Sequence, residues 1–366
     1  MSETTEPRLL GSQISLFDHA LRLHRQSPDA PLARDGEPYP DEDLHRSSAE
    51  PPEDRRLEGM DVAVVLDAHF ARADAAPAEL ADAFHGLYIP IHHNEHIAAA
   101  ALRADLRRVR RTGRWLVRHG TDRCAVTVGL ALLATDWAEE DIELIQTIGL
   151  LSGHFGPLAA KALRRKLGGE ALLWLAQRVA GWGRVYVVEE LCQWGVSDAA
   201  RAWLLRHSCD GDFLNGYFAG KVATAAHLHE AITGLDVDDD LIDNTSRMLN
   251  IMAQCSGMGM TLERYPPARV VLEAHVGHLA RQAPATGRYV NAAAIADHLA
   301  SKAPEQIGCA PEHRDHLVRS YLAVLDREEW CQAVRADLHR NEHFYAWFAD
   351  NVAARLRLRA FTGGET

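Results

Sequence analysis

From Met60 onward, apolar positions recur at intervals of three and four residues, and the runs break at Gly, Pro, Asn or Asp. This period predicts helices over 60–73, 77–86, 92–110, 113–119, 122–134, 138–151, 156–166, 169–180, 183–194, 198–207, 213–232, 238–254, 267–282, 288–301, 311–326, 328–339 and 343–357. The most strand-like stretch is GRVYVVEEL from Gly183, yet its Glu pair and its neighbours fit a helix better. No strands alternate with these helices, which argues against a doubly wound nucleotide-binding sheet. The predicted fold class is all-α.

Residues 1–59 follow a different pattern. Seven of the 15 prolines lie here, and PYPDEDLHRSSAEPPEDRR is acidic and almost free of large apolar side chains. Such a segment has little surface to bury against its ordering entropy. The expectation is therefore a flexible acidic arm over 1–59, irregular through 26–59. One short helix near 14–25 has Ile14, Phe17, Leu21 and His24 on a single face, positioned to dock. The remaining body is expected to span 60–361.

The middle of the chain is repetitive. GPLAAKALRRKLGGEALLWLAQRVAGW from Gly156, GRVYVVEELCQWGVSDAARAWLLRHSCDGD from Gly183 and FLNGYFAGKVATAAHLHEAITGLDVDD from Phe213 each give a helix, a Gly- or Asp-rich break and a second short helix. The period is about 30 residues. A pair of short amphipathic helices cannot close its own core, whereas stacked pairs share one. The Ala159, Ala160, Ala162, Leu163 core and the Val185, Val188, Leu191 core, punctuated by glycine, resemble HEAT-like repeats of the short bacterial lyase type. The resemblance covers about 120–235 most clearly. It implies an α-solenoid of stacked helix pairs with a curved binding surface, and specifies fold more than function.

Composition narrows the class. The 47% hydrophobic and 25% charged content is that of a soluble globular protein. No apolar run reaches the ~18 residues that span a bilayer, and no basic, then apolar, leader opens the chain, so the expected location is the cytoplasm. Only Lys161, Lys166, Lys221 and Lys302 are lysines, the remainder of the 39 basic residues being Arg, which together with abundant Ala suggests a GC-rich bacterial genome. The six cysteines form no CxxC pair and read as buried thiols in a reducing compartment. A net charge of -12 disfavours nucleic acid as a partner of the surface as a whole.

Candidate chemistry is concentrated in LRADLRRVRRTGRWLVRHG. On one continuous helix, Arg103, Arg107, Arg110 and Arg114 form a stripe that Arg111 and Arg118 extend, with Trp115 among them. Guanidinium forks of this kind bind carboxylates or phosphates. The bland counterpart is a solvated face paired with the acidic excess, the acidic arm included. Trp174, Trp182, Tyr186, Trp194, Trp203 and Tyr217 place aromatics through the repeats, either between repeats or on a concave binding face. His92, Glu95 and His96, with the pairs His275/His278, His313/His316 and His339/His343, have metal-ligand spacing, which a chain with 20 histidines also produces by chance. Asp210 and Asp212 are the carboxylates nearest the aromatics. DVDDD before residue 241 reads as helix capping, and GMGM at 257–260 as a helix-ending turn.

No nucleotide-binding, nucleophile-elbow, zinc-protease or calcium-loop signature is present. The sequence therefore points to a non-catalytic scaffold that recognises another protein, one use being its inhibition or neutralisation. The candidate contacts are Arg103, Arg107, Arg110, Arg111, Arg114, Trp115, Trp182, Tyr186, Trp194 and Tyr217, and no cofactor or metal is called for. Two alternatives belong to other classes: a nucleic-acid-acting enzyme of the HEAT-like DNA glycosylase type, and a His-ligated metalloenzyme.

Overall fold

The computed structural model describes residues 14–45, 50–193, 195–301, 309–338 and 342–362. The described residues are helical with no strand, and no helix among them is long and apolar enough to cross a membrane. The chain divides into two compact units, Met1–Leu191 and Cys192–Thr366.

In the first unit, α1 is Leu16–Gln26, α2 Glu42–His45, α3 Met60–Ala71, α4 Glu95–Arg103, α5 Leu106–His119, α6 Arg123–Leu133, α7 Ile142–Gly149, α8 Ser152–Arg165, α9 Gly169–Ala176 and α10 Gly181–Leu191. Each helix from α4 onward packs on its chain neighbour and on its next-but-one: α4 on α6, α6 on α8, α8 on α10, and α5 on α7, α7 on α9. The core between these rows is apolar, with Leu116, Val128, Leu132, Phe155 and Leu163 fully enclosed. α6 is buried along its whole length. Glycines allow the closest approaches. A Cβ on Gly113 would lie 3.0 Å from the Gly129 carbonyl, and one on Gly183 would lie 1.8 Å from Ser152 Oγ.

The helix predicted over 92–110 is two helices. The Asp105 side chain accepts the Arg108 N–H and caps a new start, so α4 ends at Arg103 and α5 runs unbroken from Leu106 through Gly113 to His119. Competition between a capping side chain and helix continuation is decided here by the cap. Residues 77–86, expected as a helix, give only a short 3-10 turn at Pro77–Leu80.

Residues 14–41 are packed against the rest of this unit. α1 lies on α5 and α7, but its buried face is Leu16, His19 and Ala20, while Ile14 is exposed. Beyond α1 the chain runs along the corners of the helix stack as a strap. Leu16 N–H donates to the Gly120 carbonyl at 3.0 Å. Arg178 donates to the Pro28 carbonyl at 2.8 Å and pairs with Asp29 at 3.1 Å. Asp35, held at φ 55°, accepts the first amides of α8: Oδ1 takes Ser152 N–H at 2.9 Å and Ser152 Oγ–H at 2.6 Å, and Oδ2 takes Gly153 N–H. Asp41, buried to 1%, accepts the Arg123 N–H that opens α6 at 2.7 Å and its guanidinium at 3.0 Å. The Arg123 guanidinium lies 4.9 Å over the Tyr39 ring. Two carboxylates thus sit at the positive ends of two helices. The acidic side chains of this stretch, Asp29, Asp35 and Asp41, are used within the fold.

In the second unit, α11 is Asp198–His207, α12 Ala219–Ala225, α13 Leu228–Thr233, α14 Asp239–Gln254, α15 Ala268–Leu279, α16 Thr286–Ser301, α17 Pro311–Leu325, α18 Glu328–Arg335, α19 Glu342–Phe348 and α20 Ala354–Leu356, the last two joined by a π-helical turn. The same next-but-one packing recurs, α12 on α14, α14 on α16, α16 on α18, and α13 on α15, α15 on α17. Its core contains Trp330, Tyr289, Tyr321 and Phe218, all fully enclosed. Asp238 caps α14 through the Leu241 N–H, as the acidic run predicted. The single helix expected over 213–232 is a 3-10 turn and two short helices, separated by His227 in the left-handed region (φ 54°).

Candidate functional site

The arginines of α5 are mostly committed inside the fold. Arg103, on α4, pairs with Asp67 at 2.6 Å. Arg110 and Arg114 form bonds from their guanidinium groups to the buried carboxylates of Asp136 and Asp141, and Arg114 also reaches Glu140 at 3.3 Å. Burial opposes the Asp136 charge, but Arg110 outweighs it and holds the carboxyl below its usual range. Arg108 donates to the Phe70 and Arg72 carbonyls, and Arg118 pairs with Asp18 at 2.7 Å over the Phe17 ring. Trp115 is half-buried against His119, 5.4 Å between ring centres. Arg107 and Arg111 are exposed and have no ion pair among the described residues. The stripe drawn on one helix is therefore divided between α4 and α5, and two of its members remain available.

Arg110 has a further consequence. Its partner Asp136 also accepts the Trp137 N–H at 2.7 Å and the Ala138 N–H at 3.3 Å. This Asx-type turn fixes the loop after α6 and presents Trp137 to solvent, where 60% of it is accessible. Below it, Lys166 is fully buried and its ammonium donates to the Leu133 and Asp136 carbonyls at 3.1 and 2.9 Å. Burial pushes that ammonium's pKa down, while Asp136 and Asp141 oppose the shift.

The next turns of α8 carry two cations that stay unpaired. Arg165 lies 4.9 Å over the Trp137 ring. Lys161, one turn earlier, has no carboxylate partner among the described residues, and neither has Arg165. Partial burial pushes the His93 pKa down, the Lys161 and Arg165 charges add to the shift, and Glu95 opposes it. On α10, Trp182 and Tyr186 stack at 5.9 Å with planes 22° apart beside the first half of α8, where Gly156 approaches Tyr186, and His92 meets Tyr186 edge-on at 5.5 Å. Trp182 is 44% accessible. Lys161 and Arg165 with Trp137 form a cationic, aromatic patch toward the other end of α8 that suits an anion.

The sequence marks Trp182 and Tyr186 as contacts and His93 only as part of the IHHNEH histidine cluster, and it does not single out Trp137, Lys161 or Arg165. The signal was the basic run at 161–166, read there as part of a repeat core. Its four basic residues have different fates: Arg164 bonds to Glu190, Lys166 is buried, and only Lys161 and Arg165 serve the surface.

Tyr217 is half-buried in the second unit, and Trp194 lies outside the described residues. His96 bonds to the Arg56 carbonyl at 2.8 Å while His92 faces Tyr186, so these two imidazoles diverge. His275 bonds to Tyr321 and His278 to the Ile232 carbonyl. His339 lies outside the described residues. Among those residues no three His, Cys, Asp or Glu side chains are placed to hold a metal ion. Asp212 accepts the Leu214 N–H and Asp210 accepts the Asp212 N–H. No family model, curated protein or solved structure matches the chain.

Proposed function

We propose that the chain is a HEAT-like α-solenoid scaffold without catalysis of its own, and that it recognises an acidic segment of another protein. Support for the solenoid is the next-but-one helix packing within each unit. The observation that carries the recognition reading is the coincidence of unpaired Lys161 and Arg165 with solvent-presented Trp137 toward the end of α8. In a chain of net charge -12 whose arginines are largely used internally, unpaired cations beside an exposed tryptophan are the surface best suited to an acidic partner. Arg107 and Arg111 are candidate outlying contacts.

The test is capture from native cell extract with the full chain as bait, at low and moderate salt, identifying protein and nucleic acid. Wild type should retain a stoichiometric protein through an acidic region, with affinity falling as salt rises. K161E/R165E should lose at least tenfold in affinity, and W137A a comparable amount, with unchanged helical content. Retention of nucleic acid instead, sensitive to nuclease, would move the reading to single-strand binding by the same tryptophan and cations. Unchanged capture by both variants would overturn the assignment of this surface.

A further inference from the structure

The second unit contains an open cleft of about 670 Å³ that the scaffold reading does not use, lined by Ala253, Ser256, Met258, Thr261, Glu263, Arg264 and His298 among others. One wall is the loop after α14. Gly257 stands at φ +90°, a Cβ on Gly259 would lie 2.2 Å from the Gly216 carbonyl, and one on Gly220 would lie 2.4 Å from Met260 Cβ. The Met258 N–H returns to the Cys255 carbonyl at 2.9 Å. The loop is thus pressed against the chain at Gly216 and Gly220 and keeps one shape, so GMGM shapes a wall as well as ending a helix.

The floor is a carboxylate–imidazole pair, His298 Nε2 to Glu263 Oε1 at 2.9 Å, with His298 9% accessible. Burial opposes the Glu263 charge, but its own backbone N–H, the Thr261 hydroxyl and His298 outweigh it and hold the carboxyl below its usual range. Arg264, at the rim, is exposed and has no ion pair among the described residues. It sets the sign of the cleft mouth. The volume lies within the roughly 300–1,000 Å³ typical of small-molecule sites.

We propose that this cleft binds a small molecule with an oxyanion head, a carboxylate or phosphate monoester, joined to an apolar body. Arg264 takes the head in a two-pronged hydrogen bond, the Ser256 hydroxyl completes the polar side, and Met258 and Ala253 contact the body. Glu263 and His298, fixed by their mutual hydrogen bond, form the polar floor.

Calorimetric titration of the full chain at low ionic strength tests this with phenyl phosphate, benzoate and neutral benzyl alcohol. Saturable binding of phenyl phosphate or benzoate, and none of benzyl alcohol, is expected, and the tighter anion names the head group. R264Q should weaken binding at least tenfold, R264K should retain more than R264Q, and K161E/R165E should leave it unchanged. That last arm separates this site from the protein-binding surface. Because Arg264 is exposed, a thermal melt equal to wild type is expected for both Arg264 variants. No saturable binding of either anion, equal binding of benzyl alcohol, or full affinity in R264Q would overturn the proposal.

Discussion

His275 is enclosed in α15, with Nδ1 2.8 Å from the Tyr321 hydroxyl and Nε2 lacking a hydrogen-bond partner. Burial pushes its pKa from 6.5 down to about 3. Between these values the unfolded chain binds a proton that the folded chain does not, so stability falls as pH drops below 6.5 and levels off near 3. Removing the imidazole removes this slope. In urea unfolding, H275F/Y321F, which also deletes the hydroxyl left behind, should lose less stability between pH 7 and 4 than wild type. An unchanged slope would show that other groups carry the acid sensitivity. The sequence offered this histidine only as half of an i, i+3 pair with His278. Spacing places two rings on one helix, but which neighbours they meet depends on packing: His275 points into the core and His278 finds a carbonyl on α13.

The contact between α5 and α6 is a close helix pairing that glycines on both sides make possible. Gly113 faces Gly129, and each would clash with the opposite helix if it carried a side chain: 3.0 Å to the Gly129 carbonyl and 2.8 Å to Leu116 Cβ. G113A should destabilise by roughly 1–3 kcal/mol, the usual cost of overpacking, despite Ala being the better helix former. A stability gain measured by chemical unfolding would mean the helices separate freely. Helix existence was legible here because apolar periodicity is a local property. The start of α5 was not, because Asp105 reads as one charge in a basic stretch until its carboxylate is seen accepting the Arg108 N–H. The fate of the arginines was less legible still. The neutralising carboxylates, Asp136 and Asp141, lie 26 and 27 residues along the chain, and only the packing of α5 on α6 and α7 brings them into reach. The acidic excess therefore did not remain a diffuse surface property. It was distributed to particular guanidinium groups, leaving Lys161 and Arg165 distinct.

Taken entire, the chain has two compact units, and the strap belongs to the first. Composition suggested that residues 26–59 have too little apolar surface to fold. That estimate omitted what a carboxylate gains at a helix start beside a buried arginine. Asp41 is the clearest case, because Arg123 is itself only 9% accessible and loses its main partner if Asp41 is removed. Asp41→Ala should destabilise by ~3 kcal/mol or more, as for an ion pair broken within a core. Hydrogen exchange should show the loss of protection in α6 and α8, with the second unit keeping its own protection pattern. Unaltered exchange in α6 would mean that water replaces the carboxylate at no cost.

The strap also bears on the order of folding events. Its anchors join residues 82, 117 and 149 positions apart, at Asp41–Arg123, Asp35–Ser152 and Asp29–Arg178. Helix pairs in this unit form between neighbours in the chain, while each strap contact closes a loop that contains several complete helices. The receiving corners exist only once those helices have stacked. Docking of residues 27–41 is therefore expected only after those helices have stacked, and release of the strap from an otherwise native stack would uncover the starts of α6 and α8.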